Sequence, residues 1–358
     1  MTRTLGFIIG FFVLVFWLTV KPAFADSPRL IIGVIYVGSF NDYGYNKSFH
    51  DALAQVAKDL PGVTVIEAEN VAESSDAERV MEGMIQQGAK LIFPTSFGHK
   101  DFARKVAKRH RDVFFEHPGD GDTESNFGVF FGSTQTAWYP MGVAAGKMTK
   151  SNKLGFVIGM PIGYALGNVN AFELGAKSVN PKAQTVVVVT GGWSDKAKEA
   201  GAANALLDQG CDVVAMHVDS PATIIQTVEA RGGMSIGFQS LEARALAPTG
   251  WVTGLGFTWT PFFMDVAKSV IAGRFQGQAV YQGLGQMVAI APFGPAVPAE
   301  VQKLVTNAAN RVMKGFTPFT GPLTDNTGSL ALPPGATINN AQMGNFDWYV
   351  DGVIGKVR

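Results

Sequence analysis

Residues 31 to 50 read I-I-G-V-I-Y-V-G-S-F-N-D-Y-G-Y-N-K-S-F-H, and the fold is decided there. An apolar run rich in β-branched residues breaks at Gly38-Ser39 into a polar and aromatic loop, and an amphipathic helix follows. Strand, loop and helix in that order open an α/β unit, and such units hold ligands beyond the carboxyl ends of their strands. Phe40, Asn41, Asp42, Tyr43, Tyr45 and Asn46 stand at that position. Aromatic rings, two amides and a carboxylate within seven residues suit a flat, polar molecule. The same Asn and Asp would equally shape an ordinary surface turn.

Upstream, Arg3, the uncharged apolar stretch from Leu5 to Val20 and the small-x-small Ala23-Phe24-Ala25 form a secretory signal peptide over residues 1–25. No cysteine stands at that cleavage point, which argues against a lipoprotein anchor. A mature chain beginning near Asp26 and working in the periplasm is expected. Of the 29 basic residues, Arg3 and Lys21 leave with the signal, so 27 face 29 acids and the net charge is about −2. That balance points away from nucleic acid and from anionic membranes as partners. Cys211 is the only cysteine, so no internal disulfide forms, and its setting before D-V-V-A-M reads as the buried start of a strand.

Downstream, the strand and helix patterns alternate with short connections. Helices are expected over 50–60, 76–87 and 100–110, and strands over 63–68, 89–93, 113–116 and 127–131. The pattern then restarts with a helix over 136–149, where Gly142 and Gly146 allow close packing. Strands follow at 153–159, 185–190, 212–217, 234–238 and 251–257, with helices at 169–179, 196–209 and 222–231 between them. Two consecutive α/β domains, each a parallel sheet with helices on both faces, are implied. A helix over 260–271, short strands at 279–283 and 287–291, and a helix over 298–313 precede the tail. That tail, 317–358, is long for an unstructured segment and is expected to wrap over a domain, anchored by Met343 and Trp348.

Polar or aromatic clusters recur at strand ends: 40–46, 95–99, 116–119, 193–195 and 217–220, with Tyr164 and Asn168 in a sixth. Clusters on the same edge of each sheet can face one another across a cleft. Phe97, Tyr164, Trp193 and Trp259 are its candidate ring walls, whereas Phe114, Phe115, Phe130 and Phe131 lie inside strands and read as core. His217 is placed in the cleft as a hydrogen-bonding partner. Asp42, Glu116, Asp195 and Asp219 suit either a carboxylate pair for glycoside chemistry or plain acceptors for a ligand's N–H and hydroxyl groups. Ser96 and Ser220 lack a G-x-S-x-G setting, and the five histidines form no H-E-x-x-H or other close ligand pair. Neither G-x-G-x-x-G after Val34 nor a Walker A motif is present. No cofactor, no metal and no catalytic residue is expected.

Three runs stand out: S-F-N-D-Y-G-Y-N at 39–46, D-A-E-R-V-M-E-G-M-I-Q-Q-G-A-K-L-I-F from Asp76, and G-V-A-A-G-K-M-T-K at 142–150. Through them the chain resembles the basic membrane protein family of ABC-transporter substrate-binding proteins. N-A-F-E-L-G-A-K-S-V-N-P at 170–181 and N-F-D-W-Y-V-D-G-V from Asn345 extend the resemblance over essentially the whole mature chain. It implies the type 1 periplasmic binding fold: two Rossmann-like lobes with parallel sheets joined by a three-crossover hinge. It further implies capture of a purine nucleoside, a nucleobase or a related small nitrogenous solute, and delivery to a membrane permease by a monomeric, non-enzymatic receptor. A sensory receptor or a secreted nucleoside or glycoside hydrolase is the alternative. Lobes of 27–132 with 252–289, and of 133–251 with 290–358, are expected, so the strand at 252–257 would return to the first lobe.

By the same resemblance, Tyr45 stands where the family's base-stacking Phe usually is, and Asn46 keeps the following Asn. Glu116 falls near the family's aspartate after the fourth strand, and Gly192-Trp193-Ser194-Asp195 matches a glycine- and serine-bearing loop. Where the family often has Gly-x-Asp, this chain has Gly237-Phe238-Gln239. The lost carboxylate at Gln239 weakens the grip on ribose hydroxyls and opens the expectation to a free nucleobase or another small nitrogenous solute.

Overall fold

The computed structural model describes Thr2 and residues 30–357, apart from the side chains of Asn340, Ala341 and Met343. The expected signal peptide and the Met343 anchor therefore lie outside the described residues. Among those described, no helix is long and apolar enough to cross a membrane.

The first lobe opens with β1 (Leu30–Ile35), α1 (Tyr45–Asp59), β2 (Val63–Ala68), α2 (Ser75–Gln86) and β3 (Leu91–Pro94). It continues through α3 (Lys100–Arg109), β4 (Phe114–Pro118) and β5 (Phe127–Gly132). The chain then crosses over to build α4 (Gln135–Met148), β6 (Lys153–Ile158), α5 (Gly163–Lys177), β7 (Gln184–Val189) and α6 (Lys196–Asp208). After β8 (Val213–His217), α7 (Ala222–Ala230), β9 (Met234–Gly237) and β10 (Trp251–Phe257), it returns to the first lobe. There α8 (Thr260–Ile271) packs on α1, and β11 (Ala279–Gln282) pairs with β5. A third crossing leads to β12 (Val288–Ile290) and α9 (Ala299–Met313). The tail adds the hairpin of β13 (Leu323–Thr324) and β14 (Leu330–Leu332), and finally β15 (Val353–Ile354).

Strand order is β11-β5-β4-β3-β1-β2 in one sheet and β12-β10-β9-β8-β6-β7-β15 in the other. Each thus contains the doubly wound 2-1-3-4-5 order, and all its pairs are parallel except β10 with β12. Strand order reverses between β1 and β3, and again between β6 and β8, which are the two places where such sheets open a crevice for ligand. The expected return of 252–257 to the first lobe does not occur. All seven residues of β10 are buried, and the strand completes the second sheet between β9 and β12. The crossing falls after Phe257, because β10 is buried along its length and hydrogen-bonds β9 on one edge and β12 on the other.

Two helices begin earlier than their periodicity suggests. α1 starts at Tyr45, five residues before His50, because Asp42 satisfies its orphan first-turn donors. The Asp42 carboxylate accepts from the backbone of Gly44 (2.7 Å), Asn46 (3.1 Å) and Lys47 (3.2 Å). α5 starts at Gly163, where side-chain-free backbone lies against the tail: a Cβ on Gly163 would collide with the Gly344 carbonyl, and one on Gly167 would press on Phe346. The close packing expected of Gly142 and Gly146 is present, since their bare faces meet the backbone of Phe172 and Ala176 on α5. The tail does wrap over the second lobe, clamped by Asn170, which donates to Trp348 O and accepts from Val350 N. Its buried anchors are Phe346, Tyr349 and Val353, while Trp348 is only partly buried.

Candidate functional site

The carboxyl ends of both sheets face each other and line a narrow cavity between the lobes. The first lobe contributes Tyr45 from the start of α1, Ser96 and Phe97 after β3, Pro118 and Gly119 at the end of β4, and Phe131 in β5. The second lobe contributes Ile162 and Tyr164 after β6, Trp193 after β7, His217 and Asp219 at the end of β8, Gln239 after β9, and Phe257 ending β10. The lobes are in direct contact: Tyr45 N donates to Asp219 O at 3.0 Å, and the Phe131 and Tyr164 rings meet at 4.8 Å. Gly44 makes this approach possible, because a Cβ there would collide with the Asp219 carbonyl and with Pro221.

Six rings wall the space: Tyr45, Phe97, Phe131, Tyr164, Trp193 and Phe257. Tyr45 is fixed by its hydroxyl, which donates to Thr95 O at 2.8 Å, and by edge contacts with Phe49 and Phe257. The polar groups are few and positioned from behind. Asn168 accepts from Thr134 Oγ1 (2.8 Å), so its amide nitrogen donates to His217 Nδ1 (2.8 Å), which leaves the His217 Nε2–H as a directed donor. Burial lowers the His217 pKa to about 3, so the ring is neutral at physiological pH. Among the described residues none hydrogen-bonds the Asp219 carboxylate. Burial, then repulsion from Asp42, Glu73 and Glu199, holds its pKa well above the usual carboxylate range. Gln239 donates through Nε2 to Val218 O at 3.2 Å, and its buried Oε1 has no partner. Ser96 Oγ donates to Glu73 Oε1, which also accepts from Gly98 N. One directed donor, one free acceptor and one neutral-prone acid among flat rings can bind the edge of a heteroaromatic ring. No nucleophile–base pair is assembled around them.

Each of the six strand-end clusters supplies at least one wall residue, but the individual candidates divide. Tyr45, Ser96, Phe97, Tyr164, Trp193, His217, Asp219 and Gln239 line the cavity. The other candidates do not, and each has a local reason. Phe40 stacks on His50 at 4.2 Å, and Asn41 and Tyr43 are exposed. Asp42 is occupied with the start of α1, where it also accepts from Asn46 Nδ2 at 2.8 Å. Asn46, Glu73, Trp193 and Asp219 border a groove at the cleft mouth instead. Glu116 does not reach the cavity: it lies within β4, under Gly128, and borders α8 and β11. Asn168 stands behind His217, and Asp195 caps α6 by accepting from Lys198 N at 3.1 Å. Trp259 lies behind Phe257, stacked at 4.1 Å, with its indole N–H on Ser48 Oγ.

Phe131, Ile162 and Phe257 are wall residues that sequence reading missed. Phe131 was expected in the core, and an apolar cavity wall has the same composition as a core. The signal available was position alone, since Phe131 and Phe257 sit at or next to the last residue of their strands.

A doubly wound pair of lobes closed over a ring-walled cavity defines a two-lobed solute-binding protein. The profile of the Bmp family (ABC transporter substrate-binding protein, PnrA-like) matches residues 30–303, and the chain belongs to that family. It is 36% identical over 332 residues to a purine-binding protein of Brucella abortus (strain 2308), covering 92% of this chain and 94% of the relative. It is 31% identical to a candidate ABC transporter glucose-binding protein of Haloferax volcanii, covering 78% of this chain and 71% of the relative. A solved ABC transporter system solute-binding protein from Conexibacter woesei shares the fold, with TM-score 0.66 at 23% identity, over 80% of this chain and 97% of that structure. The family is one of solute-binding transport proteins that hand a small molecule to a membrane permease, and it is not one of enzymes.

Proposed function

We propose that this protein is the extracytoplasmic receptor of an ABC importer and that its solute is a purine base, held between closed lobes and released to the permease. The observation that carries the reading is the composition of the cavity: six aromatic walls around a small set of edge groups of both polarities, His217 Nε2–H, Gln239 Oε1 and Asp219. Stacking buries both faces of a planar ring system, and mixed donors and acceptors read its edge. A monosaccharide, with hydroxyls around its whole rim, would leave several of them without partners against these walls, at a cost for each. The identity with a purine-binding relative supports the same solute class.

Residues 1–25 act as the export signal in this reading, with cleavage near Ala25 and release into the periplasm as a monomer. N-terminal sequencing of the secreted protein and its mass in solution check both. The solute is tested by denaturing purified mature protein and identifying co-released molecules by mass spectrometry. A calorimetric series with adenine, guanine, adenosine, guanosine and glucose follows. Purine bases are expected to bind. Tight binding of glucose with no purine response would overturn the assignment.

A further inference from the structure

The central cavity shares a wall with a second hollow. Beyond Gln239 and Phe257 lies an open groove beside the hinge, bordered on its other sides by Ser48, Asp51 and Trp259. Gln239 and Phe257 border both spaces. The aromatic half of this wall is two rings thick, since Trp259 stacks on Phe257 at an angle of 17° and is itself tied to Ser48. The other half is a single side chain, Gln239.

Two features of Gln239 are unfavourable to the fold taken alone. Its backbone is left-handed, with φ 76°, a region that suits glycine and strains a glutamine. Its Oε1 is buried without a donor, while Nε2 is held by Val218 O. A buried acceptor left unpaired is destabilising unless a ligand donates to it. Glycine at this position would relieve both conditions and join the cavity to the groove.

We propose that Gln239 is the specificity-determining residue of the site. Its Oε1 accepts an N–H from the edge of the solute ring, and its side chain closes the slot against any substituent on that edge. A free base then fits and a form extended on that edge does not. This rests on the purine reading given above.

The test titrates wild type, Gln239→Gly and Gln239→Asn with adenine, 9-ethyladenine, N6-ethyladenine and adenosine. Wild type is expected to prefer adenine over the analogue substituted on the Gln239-facing edge by at least about 30-fold, a clash and a lost hydrogen bond together. Gln239→Gly is expected to narrow that gap roughly ten-fold for analogues extended on that one edge, by weakening adenine and admitting the substituent. Its unliganded melting temperature should not fall. Gln239→Asn tolerates the left-handed backbone and keeps a shorter amide, so it should fall between the two. An unchanged ranking of analogues in both variants overturns the proposal and leaves the purine reading standing, as does a wild type that binds every analogue as tightly as adenine. A wild type that binds none of the four, and guanine no better, overturns the purine reading itself and the proposal with it.

Discussion

The loop over residues 38–46 and the segment from His217 to Asp219 meet across the cleft, both carry polar side chains, and they use them in opposite ways. In the loop, Asp42 accepts three backbone N–H groups and the Asn46 amide, so its bonding capacity is used within its own turn. In the other segment, His217 is oriented by Asn168 with Nε2 left over, and no described residue hydrogen-bonds the Asp219 carboxylate. A polar group satisfied locally fixes the shape of the chain. A buried one left open, and facing a cavity, is available to a ligand. The loop therefore shapes the cleft, and in the proposed reading the facing segment is the one that contacts the solute.

Gly44, at the seam between the two regions, offers the most severe way to break the arrangement. A methyl group there would collide with the Asp219 carbonyl across the seam between the lobes. Gly44→Ala is expected to weaken solute binding by at least about 100-fold, roughly 3 kcal/mol, with the unliganded melting temperature nearly unchanged. Calorimetry with thermal denaturation checks both, and full affinity in the variant would mean that closure does not use this contact.

The contrast itself predicts opposite outcomes for its two members. Asp42→Ala should lower stability by about 2 kcal/mol, the effect of losing a strong helix-start acceptor and stranding its donors. Its effect on the affinity of the folded fraction should be minor. His217→Gln keeps an acceptor for Asn168 but loses the ring and its directed N–H. It should weaken binding by about ten-fold while the melting temperature stays within roughly 3 °C. If Asp42→Ala abolished binding at full stability, the division of labour between the regions would be wrong.

Glu116 sharpens the rule by being buried and open without facing the cleft. Burial raises its pKa well above the ordinary carboxylate range, so the folded chain holds it neutral where the unfolded chain ionises it. Stability from this group is full below the unfolded value and is lost as pH rises toward the folded one. Glu116→Gln removes the loss. Its melting temperature should match wild type near about pH 4 and exceed it by roughly 3 °C at about pH 8. Solute affinity should not move, because the carboxylate faces α8 and β11.

Much of the architecture was readable in one dimension because its causes are local. Apolar runs with glycine stops, such as Lys153–Ile158 and Trp251–Phe257, give strands wherever they are placed, and their alternation with amphipathic helices implies doubly wound lobes. The strand-end rule then picked all six clusters that contribute to the cavity. Which member of each cluster faces inward was not readable. Glu116 is the case in point: it and Pro118 are two residues apart on one strand, yet only Pro118 and Gly119 reach the cavity. The side taken depends on where β4 ends and on what packs across it. Phe131 and Phe257 were hidden for the reverse reason, since a wall of rings and a core of rings have the same composition.

By itself, then, the sequence determined two α/β lobes and the strand ends that line the cleft, because periodicity and turn chemistry act over a few residues, while its motifs carried the resemblance to a solute-binding family. Tertiary structure alone decided that β10 closes the second sheet, that Asp42 belongs to a helix start, and that His217, Asp219 and Gln239 come together at the cavity with atoms that no described residue pairs. Each of those depends on which groups meet across the gap between lobes, and a hydrogen bond to a residue far away in the chain leaves no local pattern to read.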